Sequence, residues 1–440
     1  MPFTQLGLNS QLVANLKQIS YQQPTPIQSK AIPAIFKGRD LLAVAETGTG
    51  KTASFVLPIL NQLMKGQTQK RKRVRGLILV PTRELANQVE QSIQSYAKNT
   101  SLTSLAMYGG VESQTQKKAL IDGCDILVAT PGRLLDMYTQ RAVYFEEIEF
   151  LVLDEADRML DMGFIEDINK IIDKLPLERQ NLLFSATLSK KVKALAKTAI
   201  QNPIEINTTP KQKSIQIEQW LTTVDKDKKS ALLSHLIQQN QWQQALIFIE
   251  TKQGAAKLVS QLEKRDIKAD CIHSGKSQLI REQILADFKA GRIQYLIATG
   301  VAARGLDIQG LELVINYDLP FPAENYVHRI GRTGRAGQKG QAISLVSKDD
   351  FKNLCMIESL VGHLIERRVI EGFEPKKIVP ISVLNFVPKH KRNTAESQNK
   401  ATSQKANNHI NKKPRSEAKA NAAKEKNTKK ATDDLNPWNL

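Results

Sequence analysis

The chain has 440 residues, 41% of them hydrophobic and 5% aromatic, with 63 Lys+Arg against 44 Asp+Glu and a formal net charge of +19. At roughly 100 to 200 residues per domain this allows two or three domains, each large enough for its own core. The positive excess points to a polyanionic partner, with a merely solubilising basic surface as the alternative. No apolar stretch approaches the roughly 20 residues of a bilayer span, and no basic start leads into an apolar run, so the expectation is a cytoplasmic protein with no membrane association and no secretory signal. Cys124, Cys271 and Cys355 share no metal-ligand spacing with the six histidines and read as buried free thiols of a reducing compartment.

In chain order, residues 1–30 hold Phe3, a polar helical segment, and Tyr21-Gln22-Gln23-Pro24-Thr25-Pro26-Ile27-Gln28. Two prolines one residue apart predict an extended, rigid turn that aims Gln28 in a fixed direction. Its amide donates and accepts together, as an adenine edge requires. In isolation Gln28 reads as a surface glutamine, but its place just upstream of the next element favours the nucleotide. That element is the apolar run Leu41-Leu42-Ala43-Val44 followed by Ala45-Glu46-Thr47-Gly48-Thr49-Gly50-Lys51-Thr52. It has the form of a phosphate cradle: a strand enters a tight turn, Gly48 and Gly50 let main-chain N–H groups close on an anion, and a helix start follows. Lys51 would neutralise β- and γ-phosphates and the Thr52 hydroxyl would ligate Mg²⁺.

Short apolar runs then alternate with amphipathic segments at 77–80, 126–129, 150–153 and 182–184, which predicts a doubly wound α/β domain with a parallel sheet. Ligands of such sheets sit beyond the carboxyl ends of the strands. The runs end in Pro81-Thr82-Arg83-Glu84, Thr130-Pro131-Gly132-Arg133, Asp154-Glu155-Ala156-Asp157 and Ser185-Ala186-Thr187. Asp154 could hold Mg²⁺ and Glu155 could deprotonate an attacking water; taken alone, the pair is equally a helix N-cap.

The sequence turns polar at 207–216, an interdomain linker, and the alternation resumes at 245–249, 269–272, 295–298, 313–315 and 342–346. A second α/β domain without its own phosphate loop is expected, any duplication being of fold only. It carries His328-Arg329-Ile330-Gly331-Arg332-Thr333-Gly334-Arg335, whose arginines could stabilise a transferring γ-phosphoryl group or form a surface ion-pair cluster. Residues 388–440, with 13 Lys/Arg, 5 Asp/Glu and few large apolar residues, read as a disordered tail that binds RNA or DNA loosely or merely solubilises.

Assembled, these motifs resemble the DEAD-box ATP-dependent RNA helicases of the bacterial type over roughly residues 1–380. The resemblance implies two RecA-like doubly wound parallel-sheet domains in tandem, at 31–206 and 217–380, preceded by a Q-motif segment at 1–30. It implies that Phe3, Tyr21, Gln28, residues 45–52 and Asp307 bind ATP, that Lys51, Asp154, Glu155, Arg332 and Arg335 serve catalysis, and that Thr52 and Asp154 hold Mg²⁺. Asp157, Ser185, Thr187 and His328 would couple hydrolysis to strand separation. Pro81, Thr82, Arg83, Gly109, Gly110, Thr130, Arg133, Arg281, Thr299 and Gly300 would hold RNA. Glu46 stands where Gln is usual, Ser20 and Ser274 where Gly is common, and Gly300 where Asp is frequent. The implied activity is RNA-stimulated ATP hydrolysis with local unwinding of short duplexes or remodelling of RNA–protein complexes, on ribosomal or messenger RNA and with ribosome-assembly or RNA-decay partners. An ATP-gated RNA clamp and a DNA-directed translocase are the alternatives.

Overall fold

The computed structural model describes residues 2–384 apart from Ser20, Thr47, 66–72, 209–216, Val301, 304–307, Gln309 and 335–339. Thr47, Asp307, Arg335, most of the 207–216 stretch and the 388–440 tail therefore lie outside the described residues. The first lobe is a parallel sheet of β1 (Leu41–Val44), β2 (Gly76–Leu79), β3 (Ser104–Met107), β4 (Ile126–Ala129), β5 (Phe150–Leu153), β6 (Gln180–Ser185) and β7 (Ile204–Asn207), in the order β3-β4-β2-β5-β6-β1-β7. The second is a parallel sheet of β8 (Ile217–Thr223), β9 (Ala245–Ile249), β10 (Ala269–Ile272), β11 (Tyr295–Thr299), β12 (Leu313–Asn316), β13 (Gly340–Val346) and β14 (Glu366–Arg367), in the order β10-β11-β9-β12-β13-β8-β14.

Strand periodicity explains why helices cover both faces. Leu41, Ala43, Ile78, Val128, Val152 and Phe184 point into one core of the first lobe, while their neighbours Leu42, Leu79, Leu127, Leu151 and Leu183 point into the other. In the second lobe Ala245, Ile247 and Ile249 alternate in the same way with Leu246 and Phe248. Each large aliphatic buried like this contributes about 1.5–3 kcal/mol. Residues 3–27 belong to this packing: Phe3, Leu12, Leu16 and Ile27 lie in the same cluster as Leu41 and Phe55.

Four strands were absent from the pattern of apolar runs. β3, β7 and β14 are sheet edges, and β8 pairs with edge strand β14; β3, β7 and β8 mix buried with partly exposed positions and β14 has no buried position, where the central strands β1, β2, β4 and β5 are buried throughout. Only a strand covered on both faces writes a continuous apolar run. All three cysteines are buried and outside any disulfide, and among the described residues no helix is long and apolar enough to cross a membrane.

Candidate nucleotide site and adjoining nucleic-acid face

The loop after β1 is built by two left-handed glycines, Gly48 at φ 84° and Gly50 at φ 89°, a region that L-residues with side chains enter at a cost. Gly50 caps the helix Lys51–Leu63, and the buried Lys51 Nζ folds back to donate to the Ala45 carbonyl at 3.1 Å. Ala45 N donates to Ser185 O and Thr49 Oγ1 to Glu46 O, tying the loop to β6 and to itself, while Thr52 lies in the helix's first turn.

The double-proline segment departs from the extended turn read from the sequence. Thr25 is extended (φ −71°, ψ 165°), but Pro26 then opens the helix Pro26–Phe36, because its fixed φ suits a first helical position and it has no N–H to leave unpaired. Gln28 is thereby at the third helical position and buried. Its Oε1 accepts from Thr25 N at 2.9 Å and its Nε2 donates to Gly50 O at 3.1 Å, so the amide joins this segment to the phosphate loop. The Phe3 ring is tilted 43° to that of Tyr21, with 6.2 Å between their centroids, and the Tyr21 hydroxyl lies 3.1 Å from that of Tyr96.

Asp154 follows β5 directly, buried, with Oδ1 accepting from Glu155 N at 2.9 Å. Burial pushes its carboxyl up to about 6, with Lys51 opposing and Glu155 adding to the rise. Glu155 is itself left-handed at φ 51°, ψ 47°, a strain of about 1–2 kcal/mol stored where the chain leaves the strand. Its carboxylate is paired with Arg158, a residue the motif reading passed over although the three-residue spacing on a helix would have flagged it. Asp157 accepts from Thr187 Oγ1 at 3.1 Å and Ala186 N at 3.4 Å, and Ser185 Oγ donates to Thr187 O at 2.7 Å.

Across the seam between the lobes, Phe248, Gly300, Asn325, His328, Arg329 and Arg332 line one cleft with Arg158 and Asp161. His328 is held below its ordinary pKa by burial and by Arg158, against the pull of Asp157, Asp161 and Glu155, so it faces these acids as a neutral imidazole at neutral pH. The backbone of Arg332 is pinned: its carbonyl accepts from Leu311 N, and Thr333 Oγ1 donates to the Leu311 and Glu312 carbonyls. Arg329, which lines the same cleft as Arg332, donates to Asp318 O at 2.7 Å and lies over the Phe248 ring.

A second face adjoins the seam. Pro81 and Thr82 follow β2, Gly109 and Gly110 follow β3, and Thr130 follows β4. Arg133 Nε donates to Tyr108 O and Nη2 to Val111 O, clamping the Gly109-Gly110 turn, where Gly110 has φ 81° and an added Cβ would lie 2.1 Å from the Arg83 guanidinium. From the other lobe Arg281 reaches Glu84 at 2.5 Å, and Asn87 Nδ2 donates to Glu282 at 3.0 Å. Burial, Arg281 and Arg133 together lower the pKa of Arg83, more than Glu84 restores. Guanidiniums converging in this way suit a chain of phosphates. Thr299 is buried at the end of β11, with Gly300 beside it at the cleft.

The profile of the DEAD/DEAH box helicase family matches residues 25–195 and that of the helicase conserved C-terminal domain matches 227–337. The chain is 41% identical over 367 residues to RNA helicase CrhR of Synechocystis, covering 83% of this chain and 73% of that protein. It is 41% identical over 357 residues to ATP-dependent RNA helicase CshA of Listeria monocytogenes, covering 81% and 68%. Among solved structures, Dbp5 of S. cerevisiae bound to RNA and ADP BeF3 superposes with a TM-score of 0.74 at 31% identity, over 84% of this chain and 95% of that one.

Proposed function

The chain belongs to the DEAD-box family and is an ATP-dependent RNA helicase, and we propose that a nucleotide bridging its two lobes makes its grip on RNA removable. Lys51 and the main-chain N–H groups of the glycine loop take the β- and γ-phosphates, while Phe3, Tyr21 and Gln28 hold the adenine side and Asp307 the ribose. Thr52 and Asp154 would hold Mg²⁺: a hydroxyl and a carboxylate are the hard oxygen donors it takes, and a carboxyl pushed up by burial gains most from a cation beside it. The bound cation would spread the phosphate charge.

Glu155 takes the proton of the attacking water while Arg158 holds its carboxylate in place. Arg332 enters from the second lobe, with Arg335 next in its motif, to meet the charge on the transferring phosphoryl group. The Asp157–Thr187 hydrogen bond and His328 pass the state of this site to the seam. Arg83, Arg133 and Arg281, with Pro81, Thr82, Gly109, Gly110, Thr130, Thr299 and Gly300, hold one strand by its backbone in a shape a duplex cannot keep, and hydrolysis lets it go. The observation that carries this reading is the single cleft shared by Arg158 and Asp161 of one lobe and His328 and Arg332 of the other.

Glu155→Gln should lower RNA-stimulated ATP hydrolysis by about 10²–10⁴ while ATP and RNA still bind together; turnover at the wild-type rate would remove the assignment of the base. Dyes on the two lobes should draw together only with both ligands saturating. We place this activity in the cytoplasm, on three buried cysteines outside any disulfide. Crosslinking in cells would tell whether ribosomal or messenger RNA, and which assembly or decay proteins, are its partners.

A further inference from the structure

We propose that the first lobe carries a second RNA site, a pocket for one unstacked pyrimidine, at the end of the sheet opposite the phosphate loop. The motifs above follow the carboxyl ends of β1, β2, β4, β5 and β6, whereas this cavity of about 130 Å³ is lined by Val74 and Cys124, which lie just before the amino ends of β2 and β4. Its floor is apolar, from Val74, Leu120, Ala142 and Val143, all buried. Its rim is of the opposite character. Ile121 and Tyr144 are 57% and 45% exposed, and the Arg73 guanidinium lies 4.7 Å over the Tyr144 ring.

Arg141 completes the rim, projecting from a left-handed turn at φ 54°. Among the described residues neither Arg73 nor Arg141 is in an ion pair. The volume is close to the ~150 Å³ that accepts a benzene ring, so it suits a six-membered base and is small for a purine. An apolar slot, an exposed ring and two uncompensated guanidiniums are the parts of a single-strand site: the base enters the slot and its flanking phosphates meet the arginines.

A nucleic acid rather than an acidic aromatic peptide is favoured because RNA is already this family's ligand and the chain reaches Arg73 through the basic sequence Lys70-Arg71-Lys72. The pocket lies within one lobe, so its occupancy needs no ATP.

The test is binding of short oligouridine and oligoadenosine to the full chain without nucleotide, by fluorescence anisotropy. Contacts to phosphates do not distinguish bases, so the ratio of the two affinities reports the pocket. The wild type should prefer oligouridine about fivefold or more, the Arg73→Ala/Arg141→Ala variant should bind both alike, and Lys190→Ala/Lys191→Ala, which loses the same charge on an exposed helix start, should keep the preference. Photocrosslinks from 4-thiouridine should map to peptides holding Tyr144 or Cys124. A ratio unchanged in the pocket variant, crosslinks confined to other peptides, or an acidic aromatic peptide that binds the pocket without competing with oligouridine would overturn the proposal. ATP-dependent RNA binding, measured on the same variants, should be retained, which separates failure of this site from failure of the inter-lobe mechanism.

Discussion

The two lobes are one topology used twice. Renumbered from its own first strand, each sheet runs 3-4-2-5-6-1-7, and in each a lysine opens the helix that follows strand one: Lys51 in Lys51–Leu63 and Lys229 in Lys229–Asn240. Both lysines are buried. Lys229 is consumed by structure, its Nζ donating to Tyr317 O at 2.9 Å and Asp350 Oδ2 at 3.0 Å. Among the described residues Lys51 donates to the Ala45 carbonyl beneath it, and it faces Asp154 across the loop. The difference lies in the turn. Two left-handed glycines open a cradle before Lys51, while Val224-Asp225 and a 3-10 turn, Lys226–Lys228, fill the corresponding space before Lys229. A parallel sheet supplies the seat; a few loop residues decide whether its lysine sits beside an open glycine turn or is drawn into an ion pair.

Exchanging the fates of these lysines is the strongest test. Lys51→Ala should reduce ATP turnover by at least about a thousandfold with little change in thermal stability. Lys229→Ala should do the reverse, costing about 1–3 kcal/mol in urea unfolding by leaving the half-buried Asp350 without its cation. Burial alone would raise the Asp350 pKa; Lys229 and Ser347 outweigh it and hold it low. The pair's stability is therefore present above the ordinary aspartate range and lost as pH falls through the depressed value, and the variant, left with only the Ser347 hydrogen bonds, should show a smaller acid limb.

The second lobe's contribution to chemistry is sharpened by Arg332→Ala. The turnover rate should fall by about 10³ while a fluorescent ATP analogue binds the first lobe within a few-fold of normal, since the arginine is asked to act on the transition state.

Asp154→Asn divides stability from function inside the first lobe. A carboxyl moved from 3.8 to about 6 costs the ligand-free chain up to roughly 3 kcal/mol when ionised. The native state holds this proton between about pH 4 and 6, so its stabilising effect is lost as pH rises through about 6. Asp154→Asn should thus be more stable than wild type at pH 7.5, with the gain shrinking below pH 6, and inactive throughout. The smallest effect on stability is expected of Tyr21→Phe, which removes the 3.1 Å hydroxyl contact to Tyr96 but keeps the ring, and should cost about 1 kcal/mol in urea unfolding.

Much of this molecule is legible in one dimension. β1, β2, β4 and β5 are covered on both faces and so appear as unbroken apolar runs, and the residues that follow them had to be polar for a local reason, since a strand's carboxyl end is where a ligand can sit. Half-exposed strands such as β3 and β7 leave no such run, because only one of their faces is asked to be apolar. The glycine loop is likewise local, a matter of backbone angles that Gly48 and Gly50 carry wherever they occur.

What no local pattern contains is partnership. That Gln28 spends its amide on Gly50, that Arg281 crosses to Glu84, and that Arg329 reaches the Asp318 carbonyl all depend on which surfaces meet once the strands are ordered. The sequence alone determined the two parallel sheets and the chemistry at their edges, since burial and backbone freedom are properties of short stretches. Only the tertiary structure decided how those edges face one another, because hydrogen bonds and ion pairs between residues up to about two hundred positions apart exist nowhere until the chain has folded.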